Sequence, residues 1–196
     1  LWPKLPVSKA VAISSNISAS VSLILFSPIF SPPRRKLSGH STLKALAEAL
    51  KAKGLQGFPI HIKLDTGMHR LGFMGSELPE LFEYLKDCPY VRVLSCFSHL
   101  AAAEDPKQDE FTLGQINLFI QNASALSNAL GYKPMWHILN SAGIERFPQY
   151  QFDMVRLGIG IYGISALPSA QLEPVASFKV KVLQIKHLLP SDGTIG

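Results

Sequence analysis

Four short apolar runs alternate with helical segments over residues 41–168, and this alternation constrains the fold more than any other feature. Each run has the length of a strand and ends in a loop with polar residues or glycine. Strands that alternate with helices are typical of parallel βα units, whose strand ends share one face. The predicted strands are residues 60–64, 91–97, 134–139 and 153–156. The sequence therefore predicts an α/β fold with four βα units, which is half of an eight-stranded TIM-type barrel.

The segments between these runs have the pattern of helices with one apolar face. Ser41 or Thr42 is the expected cap of the first helix, and Gly54 is its expected end. The other helical segments are residues 77–86, 108–130 and 144–147. The long third helix has a predicted buried stripe of Phe111, Ile116, Phe119, Ala123, Leu126 and Leu130.

The loops after the predicted strands carry groups suited to an anionic ligand. They contain Arg70, His99, Asn140 with Ser141, and Arg156 with Gly158 and Ile159. A phosphate needs backbone N–H groups that no side chain obstructs, together with a hydroxyl or a cation. Ser141 and the amides of Gly158 and Ile159 meet this need, so the loops indicate a phosphorylated ligand. Ordinary strand-to-helix turns with surface arginines are the alternative.

The charge and the cysteine content of the chain argue against several other classes of protein. The net charge is +5, but residues 1–40 hold five of the 19 basic residues and none of the 14 acidic ones. The rest of the chain has equal numbers of basic and acidic residues, so no basic surface for nucleic acid is expected.

Cys88 and Cys96 are too few for a disulfide framework, and buried free thiols in the cytoplasm are expected. Cys96 with His99 is too small a group for a zinc site, so no metal is expected. His61, His69 and His137 are expected to be surface or hydrogen-bonded core residues.

The two ends of the chain differ from its middle. Residues 1–40 combine an uncharged, Ser-rich run at 10–30 with a basic, Pro-rich stretch, and they resemble a linker or a weak signal or anchor segment. Residues 169–196 read as the start of a second, β-rich domain. Ala176 to Leu188 is the predicted strand there, and residues 191–196 are a predicted turn.

Four segments from residue 41 onward resemble the alanine racemases, which are pyridoxal-phosphate (PLP) enzymes on a TIM-type barrel. They are Lys63-Leu-Asp-Thr-Gly-Met-His-Arg-Leu-Gly72, Ser98-His-Leu-Ala101, Asn140-Ser-Ala-Gly-Ile144 and Phe152-Asp-Met-Val-Arg-Leu-Gly-Ile159, in the family's order. The resemblance implies that residues 41–168 are the second half of the PLP-binding barrel, its fifth to eighth strands. Residues 169–196 would begin the C-terminal β-domain. The wording Met68-His69-Arg70 is similar to that of racemases fused to a cell-wall ligase.

The resemblance also implies roles for matching residues. Arg70 would hydrogen-bond the phenolic oxygen of PLP, and Arg156 would face the pyridine nitrogen, with His99 holding Arg156 in place. The phosphate would be bound by Ser141, Gly158 and Ile159, and Asn140 is counted with this cofactor-binding group. Lys63 matches a lysine that some members carry carbamylated, although a structural ion-pair partner is the alternative.

Two catalytic parts of the family's pattern do not occur in these 196 residues. The Schiff-base lysine, in a motif like Lys-Ala-Asn-Ala-Tyr-Gly, is missing, and so is the opposing tyrosine that the partner subunit supplies. The parent enzyme is expected to be a homodimer that interconverts L- and D-alanine for peptidoglycan, and this chain alone is expected to be inactive. Another PLP-barrel amino-acid racemase of broader specificity and a degenerate, non-catalytic half-barrel are the alternatives.

Overall fold

The computed structural model describes residues 22–23, 35–37, 39–168, 172–173, 179 and 181–192. Six strands occur in this part: β1 (Ser22–Leu23), β2 (Arg35–Leu37), β3 (Phe58–Lys63), β4 (Val91–Phe97), β5 (Met135–His137) and β6 (Met154–Val155). The strands β2, β3, β4 and β5 form a parallel sheet in that order, and β1 pairs with β6, also in parallel. Backbone bonds place β6 next to β5, since Asp153 N donates to Trp136 O at 3.1 Å and Arg156 N donates to Leu139 O at 3.0 Å.

Four helices connect the strands. They are α1 (His40–Ala52), α2 (Leu78–Lys86), α3 (Asp109–Leu130) and α4 (Ser141–Arg146). Short 3₁₀ turns cover Gly75–Glu77, Pro106–Gln108, Pro148–Tyr150, Ile159–Tyr162 and Pro190–Asp192. None of the helices in the described residues is long and apolar enough to cross a membrane.

The core lies between the sheet and its helices. Ile60 and Ile62 of β3 are fully buried there, as is Leu64, which follows the strand. Each such side chain contributes about 1.5–3 kcal/mol through burial. Because successive strand residues point to opposite faces, His61 and Lys63 lie on the other side of the sheet. We call that side the inner face.

The predicted alternation of strands and helices agrees with the observed fold, with different boundaries at several ends. The prediction for residues 91–97 matches β4, whereas β2 was not predicted and β6 is shorter than predicted. The prediction that Ser41 or Thr42 caps α1 is wrong, because the helix begins at His40 and Gly39 is the capping residue without a side-chain bond. Phe111 of α3 is exposed rather than buried.

The predicted strand from Ala176 to Leu188 is absent from its described residues, 179 and 181–188, which have no regular secondary structure. A strand needs a neighbour for its backbone N–H and C=O groups, and no described residue pairs with these. Pro190–Asp192 forms a 3₁₀ turn where a turn was predicted, while residues 193–196 lie outside the described part. Most of residues 1–40, with the expectations for that segment, also lies outside it.

Candidate functional site

The first component of the site is the Ser141 cluster, formed by Ser141, Gly158, Ile159 and Gly160. Ser141 begins α4, just after β5, and the other three residues follow β6. The Ser141 hydroxyl oxygen accepts hydrogen bonds from Gly158 N at 2.9 Å and from Gly160 N at 3.1 Å. The structure thus brings the predicted phosphate residues together, because parallel strands end at the same edge of the sheet.

This cluster retains hydrogen-bond donors for a ligand. A serine hydroxyl has two acceptor lone pairs and one hydrogen to donate, and the two glycine amides occupy the lone pairs. Neither the Ser141 hydroxyl hydrogen nor the Ile159 N–H has an acceptor within the described part of the chain. Ser141 is buried, and an unsatisfied buried donor is costly unless a ligand or water accepts from it. The cluster therefore suits an oxyanion such as phosphate.

The two glycines leave room beside the hydroxyl. A Cβ at Gly160 would lie 2.9 Å from Leu157 Cδ1 and 3.5 Å from Ser141 Oγ, and one at Gly158 would lie 3.6 Å from the same oxygen. Any side chain at these positions would therefore grow next to the donor groups. Gly160 was not among the predicted site residues, although a second glycine two residues after Gly158 could have indicated it.

Arg156 is held by four acceptors on its two terminal nitrogens. Nη1 donates to His137 Nδ1 at 2.7 Å and to His137 O at 3.1 Å. Nη2 donates to Ile138 O at 3.1 Å and to Ser98 O, with a longer 3.4 Å contact to His99 Nδ1. Burial lowers the pKa of Arg156 to about 10, so the guanidinium stays charged at neutral pH.

The remaining donor of Arg156 is Nε–H. A guanidinium has five N–H hydrogens, of which four belong to the terminal nitrogens. Within the described residues Nε–H has no acceptor, so it is available to a ligand. Arg156 is thus fixed in place by the protein and presents one donor.

His99 lies beside Arg156 as a neutral ring. Burial, followed by the charges of Arg156, Arg70 and Lys63, lowers the pKa of His99 to about 4, and Glu104 opposes this shift. At neutral pH its Nδ1 can accept from Arg156 without adding a second cation. The predicted proximity of these two residues is therefore present, at the long distance of 3.4 Å.

Arg70 is exposed on a loop that Asp65 shapes. Asp65 Oδ1 accepts from Gly67 N and from His69 N, both at 3.1 Å. Burial raises the pKa of Asp65, but these two N–H groups, with the charges of His69 and Lys63, outweigh it and hold the pKa below its usual range. The carboxylate is thus charged and fixes the turn that carries Arg70.

Lys63, at the end of β3, is buried under this loop and donates to Leu71 O. Burial lowers the pKa of Lys63, Asp65 opposes the shift, and the charges of Arg70 and Arg156 add to it. Lys63 therefore lies near enough to Arg70 and to Arg156 to be repelled by their charges.

The Asn140 side chain is already engaged by the protein. Its Oδ1 accepts from Gly143 N at 2.9 Å, which caps α4, and its Nδ2 donates to Leu100 O at 3.3 Å. The structure gives Asn140 a supporting place behind the Ser141 cluster, and its contact with a cofactor stays a prediction.

Two residues that support the site were not predicted from the sequence. His137 was expected only to be a surface or hydrogen-bonded core residue, yet it holds Arg156. Gln115 of α3 accepts from Ala101 N at 2.9 Å and donates to His99 O at 3.3 Å, which fixes the loop carrying His99. Nothing in the helical pattern marked Gln115 as buried. No group of three or more His, Cys, Asp or Glu side chains among the described residues is arranged to hold a metal ion.

Comparison with known proteins identifies the family. Residues 37–166 match the family model described as "Alanine racemase, N-terminal domain". The chain belongs to the alanine racemase family. The described fold is accordingly part of the TIM-barrel-type N-terminal domain of these enzymes.

Individual alanine racemases agree with this assignment. The alanine racemase of Syntrophobacter fumaroxidans is 39% identical over 133 residues, which is 66% of this chain and 35% of that protein. The alanine racemase of Chlorobaculum tepidum is 30% identical over 188 residues, which is 94% of this chain and 47% of that protein, so the match extends into residues 1–40. The chain therefore spans about a third to a half of the length of these relatives.

A solved alanine racemase structure from Bartonella henselae, described as having covalently bound pyridoxal phosphate, resembles the chain with a TM-score of 0.62 and 27% identity. The match covers 72% of this chain and 38% of that one.

Proposed function

We propose that this chain is the part of a PLP-dependent alanine racemase that binds the phosphate and the ring nitrogen of the cofactor. It corresponds to the fifth to eighth strands of the barrel, followed by the start of the C-terminal domain. The observation that carries the proposal is the Ser141 cluster, whose hydroxyl accepts from two glycine amides and keeps its own hydrogen for a ligand.

Different residues of the site would contact different parts of the cofactor. The Ser141 hydroxyl and the Ile159 N–H would donate to the phosphate, and Gly158 and Gly160 keep the approach open. The Nε–H of Arg156 would donate to the ring nitrogen, and Arg70 would donate to the phenolic oxygen. When bound, PLP supplies an electron-accepting ring for proton exchange at the amino acid's Cα.

Arg156 also limits what the ring can do. A charged guanidinium donates hydrogen bonds but does not give up its proton near neutral pH. Arg156 would therefore give the ring nitrogen a hydrogen bond without a proton, and this would make PLP a weaker electron acceptor and limit side reactions. His99 would add no second cation beside Arg156, since its ring is neutral and its Nδ1 lies 3.4 Å from Nη2, whose two hydrogens already bond Ile138 O and Ser98 O.

Lys63 is the candidate for carbamylation. Its lowered pKa increases the fraction of neutral amine, which is the form that combines with carbon dioxide and releases a proton. The carbamate would carry a negative charge, so the repulsion between Lys63 and Arg70 would become an attraction that orients Arg70.

We propose that the parent enzyme interconverts L- and D-alanine, in keeping with the name of its relatives. We further propose that it is a cytoplasmic homodimer whose product serves peptidoglycan synthesis. The 196-residue chain alone is proposed to be inactive, because neither the cofactor-binding lysine motif nor the opposing tyrosine is among its residues. The proposal that the parent enzyme is fused to a cell-wall ligase rests only on the sequence of residues Met68–Arg70.

The test is to mix the purified chain with PLP, remove free PLP by gel filtration, and measure what remains by absorbance. The same samples are then given L-alanine, and D-alanine is measured against free PLP. We expect retained PLP and no D-alanine above the free-cofactor rate, since two acid–base groups worth about 10²–10⁴ each are absent. A chain that retains no PLP contradicts the binding proposal. Faster D-alanine formation contradicts the proposed inactivity, and borohydride reduction with peptide mass spectrometry would then locate the lysine involved.

A further inference from the structure

A line of buried polar side chains runs along the inner face from Arg156 into the barrel. Arg156 Nη1 lies 2.7 Å from His137 Nδ1, His137 Nε2 lies 3.0 Å from Ser95 Oγ, and Ser95 Oγ lies 2.6 Å from His61 Nδ1. His61, Ser95 and His137 are all buried. We call these four residues the His61–Arg156 network.

Strand geometry places these side chains in one row. His61 of β3 is the register partner of Ser95 in β4, and Ser95 is the partner of Met135, two residues before His137 in β5. The register of β3 and β4 shifts after the Ile60–Val93 pair, so Leu94 is an extra residue. A bulge of this kind re-aims the following side chain, and here it turns Ser95 toward His61 on the inner face.

The donor and the acceptor of each hydrogen bond in the network can be assigned from the groups involved. A guanidinium is a donor only, so His137 Nδ1 must accept from Arg156. The neutral His137 ring then carries its hydrogen on Nε2 and donates it to Ser95 Oγ. Within the described residues, the hydrogen-bond partners of Ser95 Oγ are the two histidines. Since His137 Nε2 already donates to Ser95 Oγ, the hydroxyl hydrogen of this buried serine has His61 Nδ1 as its acceptor there, and without that bond it would be an unsatisfied buried donor.

We infer that Ser95 and His61 are positioning residues for Arg156, acting through His137. They hold His137 as the Nε2–H tautomer, so that Nδ1 stays an acceptor for Arg156 Nη1. The network fixes the guanidinium so that Nε–H remains the donor available to a ligand. The effect on cofactor binding rests on the proposed function, whereas the tautomer of His137 does not.

The loss of the Ser95 hydroxyl would weaken the preference of His137 for the Nε2–H tautomer. In Ser95→Ala, His137 Nε2–H loses the Ser95 acceptor, which favoured this tautomer, and the Nδ1–H tautomer becomes more competitive. That tautomer places an N–H against Arg156 Nη1, which is donor against donor. Hydrogen bonds to charged groups contribute about 1.5–3 kcal/mol, so a misplaced Arg156 would weaken PLP binding by roughly 10- to 100-fold.

The experiment uses the 196-residue chain with ¹⁵N-labelled histidine and long-range ¹H–¹⁵N NMR, with His137 assigned through a His137→Gln variant. We expect neutral Nε2–H tautomers for His61 and His137 in the unmodified chain. In Ser95→Ala we expect the Nδ1–H form of His137 to appear and the Kd for PLP, measured by fluorescence titration, to rise at least about 10-fold. Ser95→Thr, which keeps a hydroxyl, should restore both.

Ser127→Ala is the control, because the Ser127 hydroxyl donates to Ala123 O of the same helix, at 2.7 Å, and has no bond to the network among the described residues. It should leave the His137 tautomer and the Kd unchanged. An Nδ1–H tautomer of His137 in the unmodified chain would overturn the inference, as would Ser95→Ala with unaltered tautomer and Kd. If Ser95→Ala does not fold, the spectrum of the unmodified chain still decides the tautomer. A chain with the expected tautomers that binds no PLP would contradict the proposed function and leave the tautomer assignment standing.

Discussion

At the scale of single residues, the site depends on which hydrogen-bond donors the protein uses and which it leaves for a ligand. Ser141 gives both lone pairs to glycine amides and keeps its hydrogen. Arg156 gives its four terminal hydrogens to fixed acceptors and keeps Nε–H. The sequence could predict these two residues because each follows a strand. It could not predict the role of His137, because that residue belongs to a strand and its neighbours are Ser95 of β4 and Arg156, which follows β6.

His99 supplies a pH-dependence prediction at this scale. Its pKa is about 4 in the folded chain, below the value of about 6.5 expected when unfolded. Between these values the unfolded state binds more protons, so stability is fully present above pH 6.5 and is lost as the pH falls toward 4. We expect His99→Asn, which cannot titrate but can accept from Arg156, to lose less stability over this range. Urea unfolding of both proteins at pH 7.5, 5.5 and 4.5 measures the difference, and parallel curves would contradict the assignment.

At the scale of elements, the loop from Asp65 to Phe73 determines where Arg70 lies. The loop returns to its own start, because Phe73 N donates to Lys63 O at 2.8 Å and Asp65 N donates to Phe73 O at 2.9 Å. Gly72 makes this possible, with φ of 118° and a position where a Cβ would lie 2.8 Å from Asp65 N. A larger residue would have to open the loop that presents Arg70.

We therefore expect Gly72→Ala to destabilise the chain. The backbone conformation alone costs about 1–3 kcal/mol for a residue with a side chain, and the contact with backbone atoms adds to it. Gly114→Ala is the control, because a Cβ at this exposed position of α3 meets nothing within 4 Å. It should stabilise the chain by about 0.5–1 kcal/mol. Urea unfolding measures both, and a Gly72→Ala variant as stable as the unmodified chain would show that the loop is not constrained.

The helix α3 shows where element prediction from sequence fails. Its buried residues are Thr112, Gln115, Ile116, Phe119, Asn122, Ala123 and Leu126. Three of these seven are polar, so an apolar pattern cannot indicate them, and Phe111 was placed on the wrong face. Gln115 is buried because it bonds the backbone beside His99. The centre of the stripe, from Ile116 to Leu126, was predicted correctly because it packs in the apolar core.

At the scale of the whole molecule, the order of strands and helices was predictable, while the C-terminal strand was not observed. Alternation indicates a strand only where a neighbouring strand is available. Phe178, Val180 and Val182 alternate with polar residues in the sequence as a strand would. However, Val182, Leu183 and Ile185 are 67%, 90% and 76% exposed. Exposed apolar runs of this kind favour association between molecules.

We expect a variant ending at residue 168 to aggregate less than the 196-residue chain. The described residues of the removed segment include several exposed apolar side chains, and none of these described residues belongs to the core cluster, so the thermal midpoint should stay nearly the same. Light scattering and binding of a hydrophobic dye compare the two proteins at equal concentration. Greater aggregation or a much lower thermal midpoint in the shorter protein would mean that residues 169–196 stabilise the barrel.

The central claim, that the Ser141 cluster binds the phosphate of PLP, is tested most directly by calorimetric titration with PLP and with pyridoxal, which lacks the phosphate. We predict that the chain binds PLP at least about 10-fold more tightly than pyridoxal, and that Ser141→Ala removes most of this difference while leaving pyridoxal binding unchanged. Ser127→Ala, a serine of α3 whose hydroxyl bonds only Ala123 O, should behave like the unmodified chain. Equal affinities for PLP and pyridoxal, or an unaltered preference in Ser141→Ala, would contradict the account.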